Sequence, residues 1–400
     1  MRSVVIAPVL LGIGLLASVL AYSGFAHEVP LSPGFEAFFN NDYDGALAFF
    51  EREVKAHPDD PDQHNHLAQT ILYRELFRNG SLESQLVTGN NAFLRRPKVE
   101  ISAENRQFFA DCINTSLRLC DERLRTNARD RKALYQSGVA HALRSTYSFL
   151  VEKQWTDALR EAAGARRAQE RVLQLDPSFI DARLTLGVYQ YVVASLPFYV
   201  RAVGFLNGFH GDRAGGLQEL ESVAREGVSN RYDAKIVLAI LYRREHEPAK
   251  AIPLLQELAQ RFPGNYLFLF EQVQMYSDLG DKGAALHVLE RINALQRSNA
   301  PGYGTLPPEK IAYIAGNLYF WYRDYDLALA RLKEASAHTD VVDLNSAVLT
   351  WLRLGQVYDL RGDRPEATSA YRQVIRTGPN SDVAAEAKRY LSAPYRRQAK

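Results

Sequence analysis

The residues with metal-ligand chemistry that lie closest together are three histidines and three aspartates: His57, Asp59, Asp60, Asp62, His64 and His66. Imidazole nitrogens and carboxylate oxygens both bind divalent metals, so a loop metal site is one hypothesis. The same segment contains Pro58 and Pro61, and proline beside aspartate is typical of turns and helix starts. We therefore favour a turn with a helix cap, and we expect neither a metal nor a cofactor.

The chain has only two cysteines, Cys112 and Cys120, in 400 residues. On one continuous helix, eight positions separate their Cα atoms by about 12 Å. A disulfide needs Cα atoms within about 7 Å of each other. The sequence therefore predicts two buried thiols rather than an intramolecular bridge.

Motifs for catalysis and for nucleic-acid binding are absent from the sequence. It contains no H-E-x-x-H, G-x-S-x-G or G-x-G-x-x-G pattern and no phosphate-binding glycine loop. Lys plus Arg is 48 and Asp plus Glu is 46, so no overall charge attracts nucleic acid. We expect no catalytic residue and no nucleic-acid partner. The enzymatic alternative is a pair of carboxylates that converge inside the fold, which sequence spacing cannot reveal.

The N-terminal segment, residues 1–26, has the features of a secretory signal peptide. Arg2 precedes an apolar run, and the small residues Gly24 and Ala26 lie where a signal peptidase cuts. This predicts an exported protein, either periplasmic or secreted. The apolar run is longer than in most signal peptides, so the alternative is an uncleaved membrane anchor.

The elements that must position any site follow from a repeated pattern in residues 27–400. Its clearest copy consists of Trp351, Leu354, Gly355, Tyr358, Ala367, Tyr371 and Pro379. Leu354 and Tyr358 lie one turn apart on a first helix, and Gly355 lets a second helix approach closely. The spacing resembles the tetratricopeptide repeat (TPR), an antiparallel helix pair of about 34 residues.

The register recurs at Leu238, Tyr242, Ala251, Leu255 and Pro263; at Tyr276, Gly280, Ala285 and Leu289; at Gly316, Tyr319, Ala328 and Leu332; and at Gly34, Tyr43, Ala46, Phe50 and Pro58. The resemblance implies an all-α, right-handed superhelical solenoid of about eight antiparallel helix pairs. Enlarged repeats are expected at about 61–130, 131–179 and 180–229, with a C-terminal capping helix at about 382–391. Insertions in repeats usually lie on one face, which is often the binding face.

A central segment carries a narrower resemblance at Leu196, Pro197, Gly208, Phe209, Gly211, Asp212, Arg213, Gly216, Leu217 and Leu220. There the sequence resembles eukaryotic TPR proteins of the inclusion-body-clearance and mitochondrial-outer-membrane type. That resemblance implies a helical scaffold that works beside lipid or other proteins, without catalytic residues.

Two surfaces are predicted to bind a protein or peptide. The first is the concave groove of the array, where we expect the contacts Asn317, Tyr319, Trp321 and Arg353. The second is an apolar lip in the central insertion, with Pro197, Phe198, Phe205, Leu206 and Phe209, which would dock a protein or a membrane surface. The alternative is that this insertion packs against its neighbours.

Taken together, the sequence predicts an exported, non-enzymatic scaffold for protein–protein interaction. A membrane-associated adaptor, held by an uncleaved N-terminal helix or by the apolar lip, is the alternative. The groove lacks the set of lysines that clamps a terminal carboxylate in chaperone-binding repeats. The basic residues at the end of the chain, Arg396, Arg397 and Lys400, are interpreted as solvated surface.

Overall fold

The structure is a computed structural model that describes residues 30–82, 99–196 and 211–397. These ranges contain 17 α-helices and no strand. The first eight helices are α1 Pro33–Phe39, α2 Tyr43–Ala56, α3 Pro61–Arg78, α4 Ala103–Thr126, α5 Arg131–Tyr147, α6 Trp155–Leu175, α7 Arg183–Ala194 and α8 Arg213–Glu226. The next nine are α9 Arg231–Arg244, α10 Pro248–Arg261, α11 Tyr266–Asp278, α12 Lys282–Arg297, α13 Pro308–Trp321, α14 Tyr325–Ser336, α15 Leu344–Leu360, α16 Arg364–Thr377 and α17 Asp382–Ser392.

Consecutive helices pack as eight antiparallel pairs, from α1 with α2 to α15 with α16, and α17 covers the last pair. First helices of neighbouring pairs also contact each other, as α3 does with α5 and α13 with α15. This arrangement confirms the predicted all-α TPR solenoid of about eight helix pairs. Most of the buried hydrophobic side chains form one cluster, which extends from the first pair to α17.

Local sequence explains where the helices begin and how closely they approach. Asp42, Asp281 and Asp363 precede α2, α12 and α16, and each carboxylate accepts the main-chain N–H three residues later. Such caps satisfy donors that have no partner within the helix.

Between α7 and α8, a Cβ on Gly187 or on Gly216 would overlap the other residue's carbonyl oxygen. Glycine at both positions lets these two helices touch backbone to backbone.

The second helices of pairs two and three are longer than those of the later pairs. α4 has 24 residues and α6 has 21, whereas α10 and α16 have 14 each. At 1.5 Å per residue, α6 extends about 10 Å beyond a helix of ordinary length. A π-helical turn over Ser148–Glu152 follows α5, and Lys153, with a φ of 61°, leads the chain into α6.

Two segments of the enlarged repeats lie outside the described residues. Residues 83–98 belong to the first enlarged repeat, and residues 197–210 belong to the third. The predicted lip residues belong to the second of these segments: Pro197, Phe198, Phe205, Leu206 and Phe209. The apolar lip therefore stays a prediction, as does the part of the narrower central resemblance at Pro197, Gly208 and Phe209.

The first helix pair packs against the middle of the array, so the array closes on itself. The ring of Phe39 stacks on that of Phe262 with centroids 4.9 Å apart, and Tyr232 meets Phe262 edge-on at 4.9 Å. All three side chains are buried. We call the contact between residues 36–41 and residues 261–266 the closing interface.

Hydrogen bonds complete the closing interface. An Nη of Arg261 donates to Glu36 at 2.9 Å, and the side chain of Asn40 accepts from the N–H of Gly264 at 2.9 Å. The side chain of Asn265 donates to the Phe39 carbonyl at 2.9 Å. These partners are 224 to 226 positions apart in the sequence, so the closing interface joins the first helix pair to the end of the fifth.

Candidate protein-binding surface

Two neighbouring first helices, α13 and α15, bring three of the predicted groove residues together. α13 begins at Pro308, whose missing N–H costs nothing at a helix start. It ends at Trp321, because Arg323 adopts a left-handed conformation with a φ of 68°. Asn317 and Trp321 lie one turn apart on the same face of α13. Arg353 reaches that face from α15.

Arg353 lies at the centre of a polar network that connects the first helices of the last two pairs to α17. Its Nε donates to Asn317 Oδ1 at 2.8 Å, and an Nη donates to Gln356 Oε1 at 2.6 Å. Gln356 in turn donates to Glu386 on α17 at 3.4 Å. Burial lowers the pKa of Arg353. An arginine is nevertheless charged at neutral pH, so a positive charge is fixed at this position.

Trp321 is an exposed aromatic residue beside this network. About half of its surface is accessible, at 47%, whereas the neighbouring Phe320 is fully buried. The guanidinium of Arg353 lies 4.7 Å from the ring centroid of Phe320 and 4.9 Å from that of Trp321. A cation above an aromatic face is attracted to it, so Arg353 holds the indole in place. A rigid, half-exposed aromatic next to an arginine is typical of the residues that carry binding energy at protein interfaces.

The C-terminal tail, residues 393–397, lies across the same region of the molecule. Its backbone is extended where it leaves α17. The main-chain N–H of Tyr395 donates to Asp359 Oδ2 at 2.7 Å. The ring of Tyr395 packs between Phe320 and Tyr390, with centroid distances of 6.1 and 5.2 Å. The tail is thus fixed by one main-chain bond and one aromatic side chain.

A second side chain of the tail, Arg397, reaches the end of α13. One Nη donates to the carbonyl of Phe320 at 3.0 Å and the other to the carbonyl of Trp321 at 2.8 Å. Arg396, between the two contacting residues, is exposed. The interpretation of these arginines as solvated surface therefore holds for Arg396 and is wrong for Arg397.

Asp359, near the end of α15, is a site residue that the sequence did not single out. Its carboxylate accepts from Tyr371 at 2.8 Å, from Arg364 at 2.9 Å and from the N–H of Tyr395 at 2.7 Å. Its side chain is almost fully buried. An aspartate near a helix end is an ordinary turn residue in sequence, so only the tertiary contacts distinguish it.

Tyr319, the fourth predicted groove residue, lies on another side of α13. It is two positions from both Asn317 and Trp321, which is a rotation of about 200° around a helix. Its ring lies 5.9 Å from the ammonium of Lys282, at the start of α12. Tyr319 therefore belongs to the contact between pairs six and seven, and it is not part of the cluster around Arg353.

The starts of α13 and α15 are covered by the N-terminal helices. The carboxylate of Asp343, which caps α15, accepts from Lys310 at 2.5 Å, and both side chains are buried. Burial alone would raise the pKa of Asp343, but Lys310 and Ser346 outweigh it and hold that pKa below its usual value. Gly80, just after α3, lies so close that a Cβ there would overlap Asp343. A cavity of about 160 Å³ remains here, lined in part by Phe77.

The first helices in the N-terminal half already contact one another through their polar groups. The side chain of Asn230 donates to the hydroxyl of Tyr135 at 2.8 Å. Asp181 accepts three successive main-chain N–H groups, the last of them that of Asn230. Burial and the charge of Asp181 raise the pKa of Asp233 to about 7, while His66 opposes the rise. The polar groups named here are therefore hydrogen-bonded to other residues of the same chain.

The histidine-rich segment is a turn followed by a helix start. Asp60 caps α3, which begins at Pro61. A ring nitrogen of His64 lies 2.8 Å from the Pro58 carbonyl, and His66 pairs with Asp62 at 3.2 Å. Across the described ranges, no three His, Cys, Asp or Glu side chains are grouped as metal ligands.

The two cysteines are free thiols buried in α4, as predicted. Burial raises the pKa of Cys112 and that of Cys120 to about 12, so both stay protonated at neutral pH. In the part of the chain that the structure describes, no helix is long and apolar enough to cross a membrane.

Comparison with known proteins agrees with the helix-pair architecture. A tetratricopeptide repeat family profile matches residues 350–382, which include the last helix pair, α15 with α16, from the second turn of α15 onwards. No curated protein sequence matches the chain.

Three solved structures resemble the chain at low sequence identity. The crystal structure of yeast Tom70 is 13% identical, with 90% of this chain and 87% of that chain covered and a TM-score of 0.41. The human IFIT1 dimer with m7Gppp-AAAA is 11% identical, with 91% and 81% covered and a TM-score of 0.45. The APC/C hetero-tetramer Cut9-Hcn1 is 14% identical, with 90% and 74% covered and a TM-score of 0.39.

Proposed function

We propose that this TPR solenoid is an exported, non-enzymatic scaffold that binds a segment of another protein at its C-terminal helix pairs. The binding surface consists of Asn317, Phe320, Trp321, Arg353 and Asp359, and we call it the tail surface. Stacked helix pairs commonly bind proteins or peptides, and TPR proteins are generally non-catalytic. The apolar central insertion would provide a second docking face.

The observation that carries the proposal is the combination of an exposed indole with a buried polar network. Trp321 keeps 47% of its surface accessible although Arg353 and Phe320 hold it from one side. Its position is therefore fixed before any partner arrives, which lowers the entropy cost of binding. Trp155, at the start of α6 in the N-terminal half, is exposed to a similar extent, 51%, and Trp321 differs from it in having the guanidinium of Arg353 4.9 Å from its ring centroid.

A library of displayed random 12-residue peptides, selected on the full chain, tests the binding surface. We expect the selected peptides to lose at least about tenfold in affinity, or 1.4 kcal/mol, on the Trp321→Ala variant. The matched control is Leu327→Ala, because Leu327 on α14 is exposed to a similar extent, 51%. Peptides that bind both variants and the unaltered chain equally would overturn the assignment of the site.

Export is proposed from residues 1–26 alone, with the membrane-associated adaptor as the alternative. N-terminal sequencing of the exported protein distinguishes the two. A mature chain that begins at His27 supports secretion, whereas an intact Met1 supports an anchor. Flotation of residues 27–400 with liposomes then tests the central insertion, and a chain that stays with the soluble fraction would contradict membrane docking by the lip.

A further inference from the structure

We propose that the tail surface recognises an extended segment with an aromatic residue followed, two positions later, by an arginine. Residues 393–397 would be a copy of such a segment, held within the protein's own chain. This inference rests on the proposed binding role of the tail surface and names the chemical class of its partner.

The first argument is that burial alternates along the tail from Pro394 to Arg397. Tyr395 and Arg397 are partly buried, whereas Pro394 and Arg396 are exposed, as is Ala393 before them. Side chains of an extended chain alternate between two sides with a period of two residues. The tail therefore contacts the surface through every second side chain, which is the way extended peptides are recognised.

The second argument is the chemistry of the arginine position. The last carbonyls of a helix have no partner within the helix, and that end carries a partial negative charge. Arg397 donates to two such carbonyls, and its guanidinium lies 5.7 Å from the ring centroid of Phe320 and 5.6 Å from that of Trp321. Only the planar guanidinium combines two parallel donors with stacking on a ring, so lysine is a poor substitute.

The third argument is that the aromatic position is prepared before the tail is added. Asp359 is held by Tyr371 and by Arg364, so its free acceptor site is already oriented toward the N–H of Tyr395. The side chain at this position needs only to pack between Phe320 and Tyr390, which any aromatic ring can do. A partner's main chain can make the same bond, because it does not depend on the tail's sequence.

The tail is a replaceable occupant. Between Ala393 and Arg397 it contacts the surface through two side chains and one main-chain N–H. A tethered segment of this kind has an effective concentration of about 1 mM. It therefore excludes weak ligands and is displaced by a partner segment that binds more tightly.

The test uses the full chain with its tail detached by substitution. The probe is a fluorescent peptide of residues 391–397, and fluorescence anisotropy gives its affinity. We expect the Tyr395→Ala/Arg397→Ala chain to bind the probe at least about tenfold more tightly than the unaltered chain does. Arg396→Ala is the matched control, because its exposed side chain leaves the tail in place and the probe excluded.

The ligand class is tested with altered probes on the Tyr395→Ala/Arg397→Ala chain. A probe with Arg397→Ala or Arg397→Lys should bind at least about tenfold more weakly, and a probe with Arg396→Ala should bind unchanged. If the Arg397→Ala probe binds as tightly as the parent probe, the aromatic-and-arginine class of ligand is wrong. If the parent probe binds the Tyr395→Ala/Arg397→Ala chain and the unaltered chain with equal affinity, the tail does not occupy the surface of its own chain.

Two further outcomes separate this inference from the proposed function. Displayed peptides that bind through Trp321 but lack the aromatic-and-arginine pattern would overturn this inference and leave the proposed function standing. A concentration-dependent dimer of the unaltered chain, lost in the Tyr395→Ala/Arg397→Ala chain, would show that the tail occupies a second copy instead. Circular dichroism of each variant confirms that its helices are intact.

Discussion

The two ends of helix α15 differ in what covers them. At its start, Asp343 is buried against Lys310 and beside Gly80, beneath the N-terminal helices. At its end, Asp359 contacts Tyr395 in the tail, residues 393–397. One helix thus has the N-terminal helices at one end and, in our proposal, a replaceable occupant at the other. The difference teaches that contacts with the N-terminal helices, here and at the closing interface, stabilise the array, while the tail surface is proposed to stay available for binding.

The aromatic groups in the two regions show the same contrast. Phe39, Phe262 and Tyr232 are buried and contact one another. Trp321 is half exposed and contacts arginine side chains. Substitutions in the first group should therefore cost stability, and substitutions in the second should cost binding.

The largest expected effect is that of Phe39→Ala. Removing a buried phenylalanine leaves a cavity, and we expect the free energy of unfolding to fall by about 3–5 kcal/mol. Chemical denaturation measures this value. Trp321→Ala removes a larger side chain, but that side chain is half exposed. We expect it to lower the free energy of unfolding by less than about 1 kcal/mol. Equal losses for the two variants would remove the distinction between the regions.

A second prediction concerns Gly302, whose backbone passes the carbonyl of Gly264 in the closing interface. Gly302 has a φ of 83°, and a Cβ there would overlap Gly264. Gly302→Ala should destabilise the fold by about 2–3 kcal/mol, from strain and from displacement of the interface. The control is Gly362→Ala, which has a φ of 79° but open space around it, and it should cost about 1 kcal/mol. Thermal unfolding compares the two, and equal costs would show that the close approach to Gly264 is unimportant.

The third prediction concerns Asp233, enclosed between α3 and α9. Its pKa is raised to about 7, so the folded state holds this proton more tightly than the unfolded state. Its contribution to stability therefore falls as pH rises from about 4 to 7. Asp233→Asn removes the ionisation of this enclosed carboxyl group, so it should raise the free energy of unfolding at pH 8 by about 2 kcal/mol. This value is smaller than the full pKa shift implies, because solvent partly reaches the side chain. At pH 4 the variant and the unaltered chain should have nearly equal unfolding free energies, and an equal difference at both pH values would contradict the raised pKa.

The smallest expected effect on stability is that of Arg397→Ala. The side chain is partly exposed, so we expect the free energy of unfolding to fall by less than about 1 kcal/mol. Denaturant midpoints of this variant and of Arg396→Ala measure it. A loss above about 3 kcal/mol would mean that the tail is a structural part of the array rather than a replaceable occupant.

The helix pairs could be predicted from the sequence because their signals are local. Leu354 and Tyr358 lie one turn apart, and Gly355 sits against the ring of Tyr371 in the second helix. The same logic placed Asn317 and Arg353 on neighbouring first helices, where they form a hydrogen bond.

The closing interface and the tail could not be predicted in this way. Asn40 and Gly264 are 224 positions apart, and no periodic pattern relates them. Arg397 is in an ordinary basic tail, and its partners are main-chain carbonyls that any sequence would provide. The sequence pattern groups Tyr319 with Asn317 and Trp321 as groove contacts. A repeat pattern gives the residue types along a helix, but it does not show which neighbouring helix each side chain contacts.

Hydrogen exchange of two main-chain amides tests the central contrast most directly. The N–H of Gly264 donates to the side chain of Asn40 in the closing interface, and that of Tyr395 donates to Asp359 in the tail. Both are loop amides with one side-chain acceptor, so exchange reports how easily each region opens. We predict that Gly264 exchanges at least about a hundredfold more slowly than Tyr395, or 2.7 kcal/mol in opening free energy. Equal exchange rates would show that the closing interface opens as readily as the tail, which would contradict the account.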